Sequence, residues 1–222
     1  MSDKSEKSLV WREIQIVFYN PPSTMDKQVS RKFFNDQAEN WDKTARNNDP
    51  ERLRAMADRL QFPDQAWVLD VGTGTGVFLP YLKERVNHRG RIICLDFAFK
   101  MLTIAQSKNY SNSVDYLCAE IETLHLPPGC FDAAVCYSTF PHFHDKSRAL
   151  SNIYDLLKYD GWLYICHTAS LEAINDVHRN IPDFYDHLIP ELQEMEQMLL
   201  QAGFSEIIIS EQPDSYLAAA RK

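Results

Sequence analysis

Glycine is scarce in this sequence: seven residues in 222. Three of the seven, Gly72, Gly74 and Gly76, occupy alternate positions of one stretch, Val68-Leu69-Asp70-Val71-Gly72-Thr73-Gly74-Thr75-Gly76-Val77-Phe78. Concentration of that kind marks backbone that must take positive φ or lie against a ligand with no Cβ in the way. Basic residues are also short, 23 against 31 acidic ones, for a net charge of −8. That balance argues against a nucleic-acid backbone as the main partner, since phosphate binding requires a basic face. The five cysteines (Cys94, Cys118, Cys130, Cys136 and Cys166) form no C-x-x-C pair, which suits reduced thiols in a cytoplasm. No apolar run approaches the length of a membrane span. Residues 1–8 are polar and charged, so the expectation is a cytoplasmic chain with no secretion signal. Neither an internal repeat nor a low-complexity block is present.

What is there reads as one ordinary globular domain, 45% hydrophobic and 24% charged. Residues 1–29 are expected to be an N-terminal extension and 30–222 the domain. Leu9 to Phe18 fits either a short strand or a helix, and Tyr19 to Ser23, with two prolines, is a break. Apolar residues at 33, 34, 38 and 41 predict a helix over Ser30 to Trp41. Asp49-Pro50 caps a second helix running to Leu60.

From Gln65 strands and helices alternate. Strands are predicted at Ala66 to Val71, Arg91 to Leu95, Val114 to Ala119, Phe131 to Tyr137, Trp162 to His167, Glu206 to Ser210 and Ser215 to Ala220. Helices are predicted at Gly76 to Val86, Phe99 to Lys108, Lys146 to Leu157 (stopped by Asp160-Gly161), Ser170 to Arg179, and Pro190 to Ala202 with Gly203 as its cap. This alternation predicts an α/β, Rossmann-like, doubly wound sheet of seven strands with helices on both faces. The last two strands are joined by a connection too short for a parallel crossover, so they are expected to form an antiparallel hairpin.

The glycine loop then lies at a strand's carboxyl end, where ligands bind in such sheets. Its third glycine comes one residue early for the dinucleotide fingerprint, and the Gly-Lys-Ser/Thr of a P-loop is absent. An NAD(P)-dependent oxidoreductase is disfavoured accordingly. Asp70 at the strand end would repel a pyrophosphate and suits an amino-bearing ligand. Asp96 ends the second strand, where an acid accepts both ribose hydroxyls. Glu120 follows the third, where it can meet an adenine amino group.

Asp70 to Gly76, Asp96 with Met101 on the following helix, Ala119-Glu120, Phe131 to Tyr137 and the Leu156 to Trp162 turn together resemble the class I S-adenosylmethionine-dependent methyltransferases. Phe33-Phe34-Asn35 with Ala38 to Asp42 is similar to the opening of the type 11 group, which includes the quinone-biosynthesis C-methyltransferases. Lys158-Tyr159-Asp160-Gly161 departs from the group by lacking a proline in that turn. The resemblance implies S-adenosylmethionine as cofactor. It places the methionine part against Asp70 and the Gly72, Thr73, Gly74 and Gly76 backbone, the ribose on Asp96, the adenine between Phe97 and Met101, and Glu120 near its amino group. Tyr137 is expected beside the cofactor at the end of its strand.

Methyl transfer from a sulfonium is an in-line displacement that needs alignment and exclusion of water. Acid–base help is required only where the nucleophile must lose a proton. His142 and His167, at strand ends, are the candidate catalytic bases for a small-molecule acceptor. His142, His144, His167 and His178 could converge over the methyl group. The reading favoured here is that they are polar pocket walls and caps, with no metal site assigned. A cofactor-binding protein without catalysis, or a methyltransferase directed to a metal, a metalloid or a tetrapyrrole, is the alternative. Residues 168–189 are a long connection expected to act as a lid or substrate wall. Asn20-Pro21-Pro22-Ser23 resembles a motif of amino-group methylases, but it precedes the glycine loop and is read as a turn.

Overall fold

The computed structural model describes residues 17–18, 25–44, 49–86, 89–110 and 113–222. Tyr19 to Ser23, and all but the end of Leu9 to Phe18, lie outside the described residues. The chain forms strands β1 (Val17–Phe18), β2 (Trp67–Val71), β3 (Arg91–Asp96), β4 (Val114–Cys118), β5 (Phe131–Tyr137), β6 (Leu157–His167), β7 (Ser205–Gln212) and β8 (Ser215–Arg221). They make one sheet of order β1-β4-β3-β2-β5-β6-β8-β7, parallel except for β8, which runs against both neighbours. Apart from the two-residue edge strand β1, this is the seven-stranded, doubly wound architecture expected. The order reverses at β2, which pairs with β3 on one side and β5 on the other. A crevice opens at such a reversal, and ligands bind there.

Helices are α1 (Met25–Gln37), α2 (Trp41–Thr44), α3 (Pro50–Asp58), α4 (Leu79–Arg85), α5 (Phe99–Ser107), α6 (Lys146–Leu156), α7 (Leu171–Arg179) and α8 (Leu192–Gln201). Their ends follow local chemistry. Asp49 accepts N–H bonds from Glu51 and Arg52, Asp145 from Arg148, and Ser170 from Ala173. Gly203 ends α8 at φ +100, a conformation open to glycine without strain. Helix α1 begins at Met25, ahead of the boundary expected at residue 30.

The central strands are buried on both faces, as their continuous apolar runs require. One core holds Leu69, Ile93, Phe131 and Ile165 with α6 and α8. The other holds Val68, Ile92, Val135 and Cys166 with α3, α4 and α5. Cys94, Cys118, Cys136 and Cys166 are buried in strands as small apolar residues. A third cluster (Phe34, Ala38, Ala98, Met101 and Phe184) covers the carboxyl edge of the sheet, above the crevice.

One boundary differs from expectation. Helix α6 ends at Leu156, and Lys158 to Gly161 belong to the start of β6, not to a helix stop and loop. The β5–β6 register shifts between Phe131 and Ala133, so the extra residues form a bulge. Lys158 Nζ bonds both carboxylate oxygens of Asp132 at 2.8 Å, and Lys222 N donates to Gly161 O at 2.9 Å. The ladder thereby continues through the polar turn.

Candidate active site

Strand β2 delivers Asp70 to the crevice, and the glycine loop follows at once. Gly72 N and Thr73 N both donate to Leu95 O, at 2.7 and 3.0 Å, which ties the loop to the end of β3. Gly72, Gly74 and Gly76 all have positive φ, and their surroundings differ. A Cβ on Gly72 would lie 2.0 Å from Thr139 Oγ1. One on Gly74 would meet nothing within 4 Å, so its open side is the ligand side. One on Gly76 would press on Ala105 and Tyr110, making that glycine a packing requirement of α5.

The loop floors a cleft of two adjoining lobes that share Gly72, Asp96, Phe97, Thr139 and His142. The larger, about 610 Å³ including its mouth open to solvent, brings together Asp70, Thr73, Gly74, Met101 and Tyr137, with Phe34 and Trp41 also lining it. The smaller, about 410 Å³, lies between Glu120, Glu122, Lys27 and His144. Nine of the ten expected cofactor residues therefore line one lobe or the other. Gly76 does not, for the packing reason just given. Of the candidate bases, His142 lines both lobes. His167 lines neither and sits at the end of β6, 2% exposed, beside Tyr216.

The carboxylates are held in a dry setting. Burial pushes the Asp70 carboxyl up to about 7, with the Asp96 charge adding to the rise and a hydrogen bond from Thr73 Oγ1 opposing it. Burial likewise lifts Asp96 to about 6, against the N–H bonds of Gly74 and Ala98, both 2.8 Å. Those two N–H groups fix both oxygens of Asp96. Buried carboxylates in this state gain most from a cationic group or from hydroxyl donors. An amino group facing Asp70 and a ribose facing Asp96 meet that need, so the residues present fit the expected methyl donor.

Glu120 is placed differently from a free adenine reader. It accepts from Lys27 Nζ at 3.1 Å and from the Arg31 guanidinium, both on α1. Glu122 accepts from Lys27 Nζ at 2.9 Å and from Asp145 N at 3.0 Å. The three ion pairs clamp α1 across the smaller lobe of the cleft. Lys27 and Arg31 carried no signal in the sequence, because their partners lie about ninety positions away. Tyr137 stacks on Phe78 at 4.4 Å, and its hydroxyl is 2.9 Å from Thr168 Oγ1.

Behind His142 and Phe34, imidazoles and rings pack together. His142 stands 4.9 Å from His178 and 5.5 Å from His187, centroid to centroid, and 5.0 Å from Phe34. Phe184 stacks on Phe34 and meets Phe33 edge-on. Phe184 and His187 come from the stretch 181–187 of the 168–189 connection, which was expected to meet Phe33, Phe34 and Trp41 in an aromatic pocket, and Phe184 does pack on Phe33 and Phe34. Burial, reinforced by the neighbouring imidazoles, holds His142 well below the usual histidine range, His167 at about 3 and His178 at about 4. All three are neutral near pH 7.

Residues 69–165 match the family described as a methyltransferase domain. The ubiquinone/menaquinone biosynthesis C-methyltransferase of Wigglesworthia glossinidia brevipalpis is 30% identical over 135 residues, which is 59% of this chain and 53% of that protein. The chain thus spans about half the length of this curated relative. A methyltransferase from Aquifex aeolicus superposes with a TM-score of 0.64 at 20% identity, over 90% of this chain and 99% of that one. The Haemonchus contortus phosphoethanolamine N-methyltransferase 2, solved with S-adenosyl-L-methionine, gives 0.67 at 17% identity, over 87% and 47%. No helix among the described residues is long and apolar enough to cross a membrane. The matching region, the sheet order and the carboxylate-lined cleft agree: residues 69–165 are similar to the methyltransferase-domain family, and the fold is that of the solved methyltransferases.

Proposed function

We propose that this chain moves a methyl group from S-adenosylmethionine to a small-molecule acceptor by in-line displacement. The observation that carries the reading is the pair of buried carboxylates, Asp70 and Asp96, flanking the open side of Gly74. When bound there, S-adenosylmethionine supplies a sulfonium methyl as electrophile. Asp70 holds the amino end and Asp96 accepts from the ribose hydroxyls. Phe97 and Met101 bracket the adenine, and Glu120, neutralised by Lys27 and Arg31, borders its edge. Phe34 and Trp41 exclude water from the larger lobe, which favours attack on a charged sulfonium that departs as a neutral thioether.

His142 is the residue we assign as proton acceptor, because it lines the cleft as a neutral imidazole. His167, lying outside the cleft lining, is assigned to support the wall from behind. The 168–189 connection is read as the acceptor-side wall, since it delivers His178, Phe184 and His187. The similar proteins named above act, by their names, on carbon and on nitrogen. The acceptor class for this chain accordingly rests on its own wall of rings and imidazoles, and the acidic balance keeps nucleic acid out of the reading.

Thermal shift with S-adenosylmethionine, S-adenosylhomocysteine and NAD tests the reading. A ligand at 100 times its Kd stabilises by about 2.7 kcal/mol. Both adenosyl ligands are expected to shift the transition and NAD is not; a folded sample that ignores both adenosyl ligands sinks the proposal.

A further inference from the structure

The carboxyl edge of the sheet carries a second opening. It is a groove of about 770 Å³, including its mouth open to solvent, between α3, the end of β6 and the β7–β8 turn. It shares no lining residue with either lobe of the cleft. On the α3 side it is lined by Arg52, Ala55, Met56 and Arg59, positions that fall on one face of a helix. The small Ala55 between two arginines leaves that face hollow.

Depth divides the lining. Met56 and Thr168 are buried, and Arg59 and Ser215 are half-buried. The inner part is therefore one thioether, one guanidinium and two hydroxyls. Arg59 is the informative member. A guanidinium carries five N–H donors, and an arginine taken out of water is ordinarily paired. The neighbouring arginines of α3 are paired: Arg52 Nε stands 3.6 Å from Asp49, and Arg54 meets Glu84. Arg59 forms no ion pair among the described residues. Its hydrogen bond runs from Nη1 to Ser215 Oγ at 3.5 Å, the long limit for such a bond.

Thr168 lies at the end of β6, with its Oγ1 2.9 Å from the Tyr137 hydroxyl. With Tyr137 donating, Thr168 keeps its own proton for the groove. A guanidinium and two hydroxyls over an apolar floor suit a carboxylate, which an arginine fork meets through two parallel bonds. The exposed rim narrows the class. Glu51 and Asp214 outweigh Arg52 there, and that balance disfavours a dianion such as a phosphate monoester. We propose that this groove binds a small monocarboxylic acid, with its carboxylate on Arg59 and its apolar body against Met56 and Ala55. The site stands independently of the methyl-transfer reading, and it meets the cleft at the Tyr137–Thr168 pair.

The test is calorimetry of the full chain with benzoate, phenyl phosphate and benzamide, at neutral pH and matched ionic strength. Benzoate binds once per chain, with a Kd on the order of 1 mM. The uncharged amide and the dianion bind at least about tenfold more weakly. Arg59→Gln weakens benzoate by at least about tenfold. Arg54→Gln, on the same helix and outside the groove lining, binds benzoate as the wild type does. An unchanged thermal transition in both variants certifies the fold. The proposal is overturned by a wild-type chain with no saturable benzoate binding, by benzamide or phenyl phosphate binding as tightly, by Arg59→Gln binding as the wild type does, or by an equal loss in Arg54→Gln. Displacement of benzoate by S-adenosylhomocysteine would put the probe in the cleft and overturn it as well. A chain that binds benzoate as expected but ignores both adenosyl ligands removes the methyl-transfer reading and leaves the groove assignment standing.

Discussion

On one side of the cleft, Asp70, Gly72, Gly74 and Asp96 arrive from two adjacent strands that pair over their whole length. On the other, His142 arrives from a short turn, and His178 and His187 pack behind it from a helix and a loop beyond it. Burial opposes ionisation on both sides, with opposite sign. It raises the carboxyls of Asp70 and Asp96 and lowers the imidazoles of His142, His167 and His178. The contrast teaches that the carboxylate side, the proposed donor half, is fixed by neighbours in sequence and the imidazole side by packing alone. Substitutions should therefore separate the halves.

The largest expected effect is in the donor loop. Gly72→Ala drives a Cβ into Thr139 at a positive φ and should cost about 3 kcal/mol in urea unfolding. Gly74→Ala has the same backbone demand with open space around it and should cost about 1 kcal/mol. Equal costs would mean that the loop does not approach Thr139 as described. Next, Asp96→Ala should weaken S-adenosylhomocysteine by about a hundredfold, or about 2.7 kcal/mol. Calorimetry that found the affinity unaltered would take Asp96 out of the donor half.

The clamp on α1 offers a comparison within one helix. Lys27→Ala leaves Glu120 and Glu122 buried with a partner removed, and should destabilise by about 2 kcal/mol. Lys32→Ala, whose pair with Asp36 is exposed, should leave the denaturation midpoint where it was.

The smallest effect, and the sharpest on the comparison, is pH dependence. Asp70 and Asp96 have folded pKa values of about 7 and about 6, above the ordinary 3.8. The folded chain therefore holds protons that the unfolded chain has released, and this site's contribution to free-chain stability falls as pH rises from about 4 to 7. A cationic ligand needs the ionised form, so the adenosyl-induced thermal shift should shrink as pH falls through 7 and 6. The imidazoles act the other way. Their depressed pKa values mean that the unfolded chain takes up protons first, so stability is lost as pH falls below about 6.5. A thermal shift that stays flat between pH 5.5 and 8 would remove Asp70 from the cation's site.

The placement of the carboxylates and the glycine loop was legible for a physical reason. Asp70, the three glycines and Asp96 must each stand at a strand end, and strand ends show in a sequence as an apolar run meeting a polar residue. Caps at Asp49 and Gly203 were legible by the same local logic. Lys27, Arg31 and the meeting of His187 with His142 were not, because nothing near them in the chain records what they meet. His167 shows the limit from the other direction. It occupies the strand end expected of it, but the pleat and the antiparallel neighbour β8 set it against Tyr216 and away from the cleft. Gly161 shows another, since a helix stop and a bulged strand start use the same residues.

The closeness of Gly72 to Thr139 has a consequence for transplantation. The donor loop looks like a cassette, eleven residues of a recognisable pattern. Yet its first glycine is shaped by the hydroxyl of a residue that arrives with β5, much later in the chain. Grafted onto another parallel sheet, the pattern would lack its counterpart and its turn would be free to settle elsewhere. The unit that could be moved is the interlocked pair of strand ends.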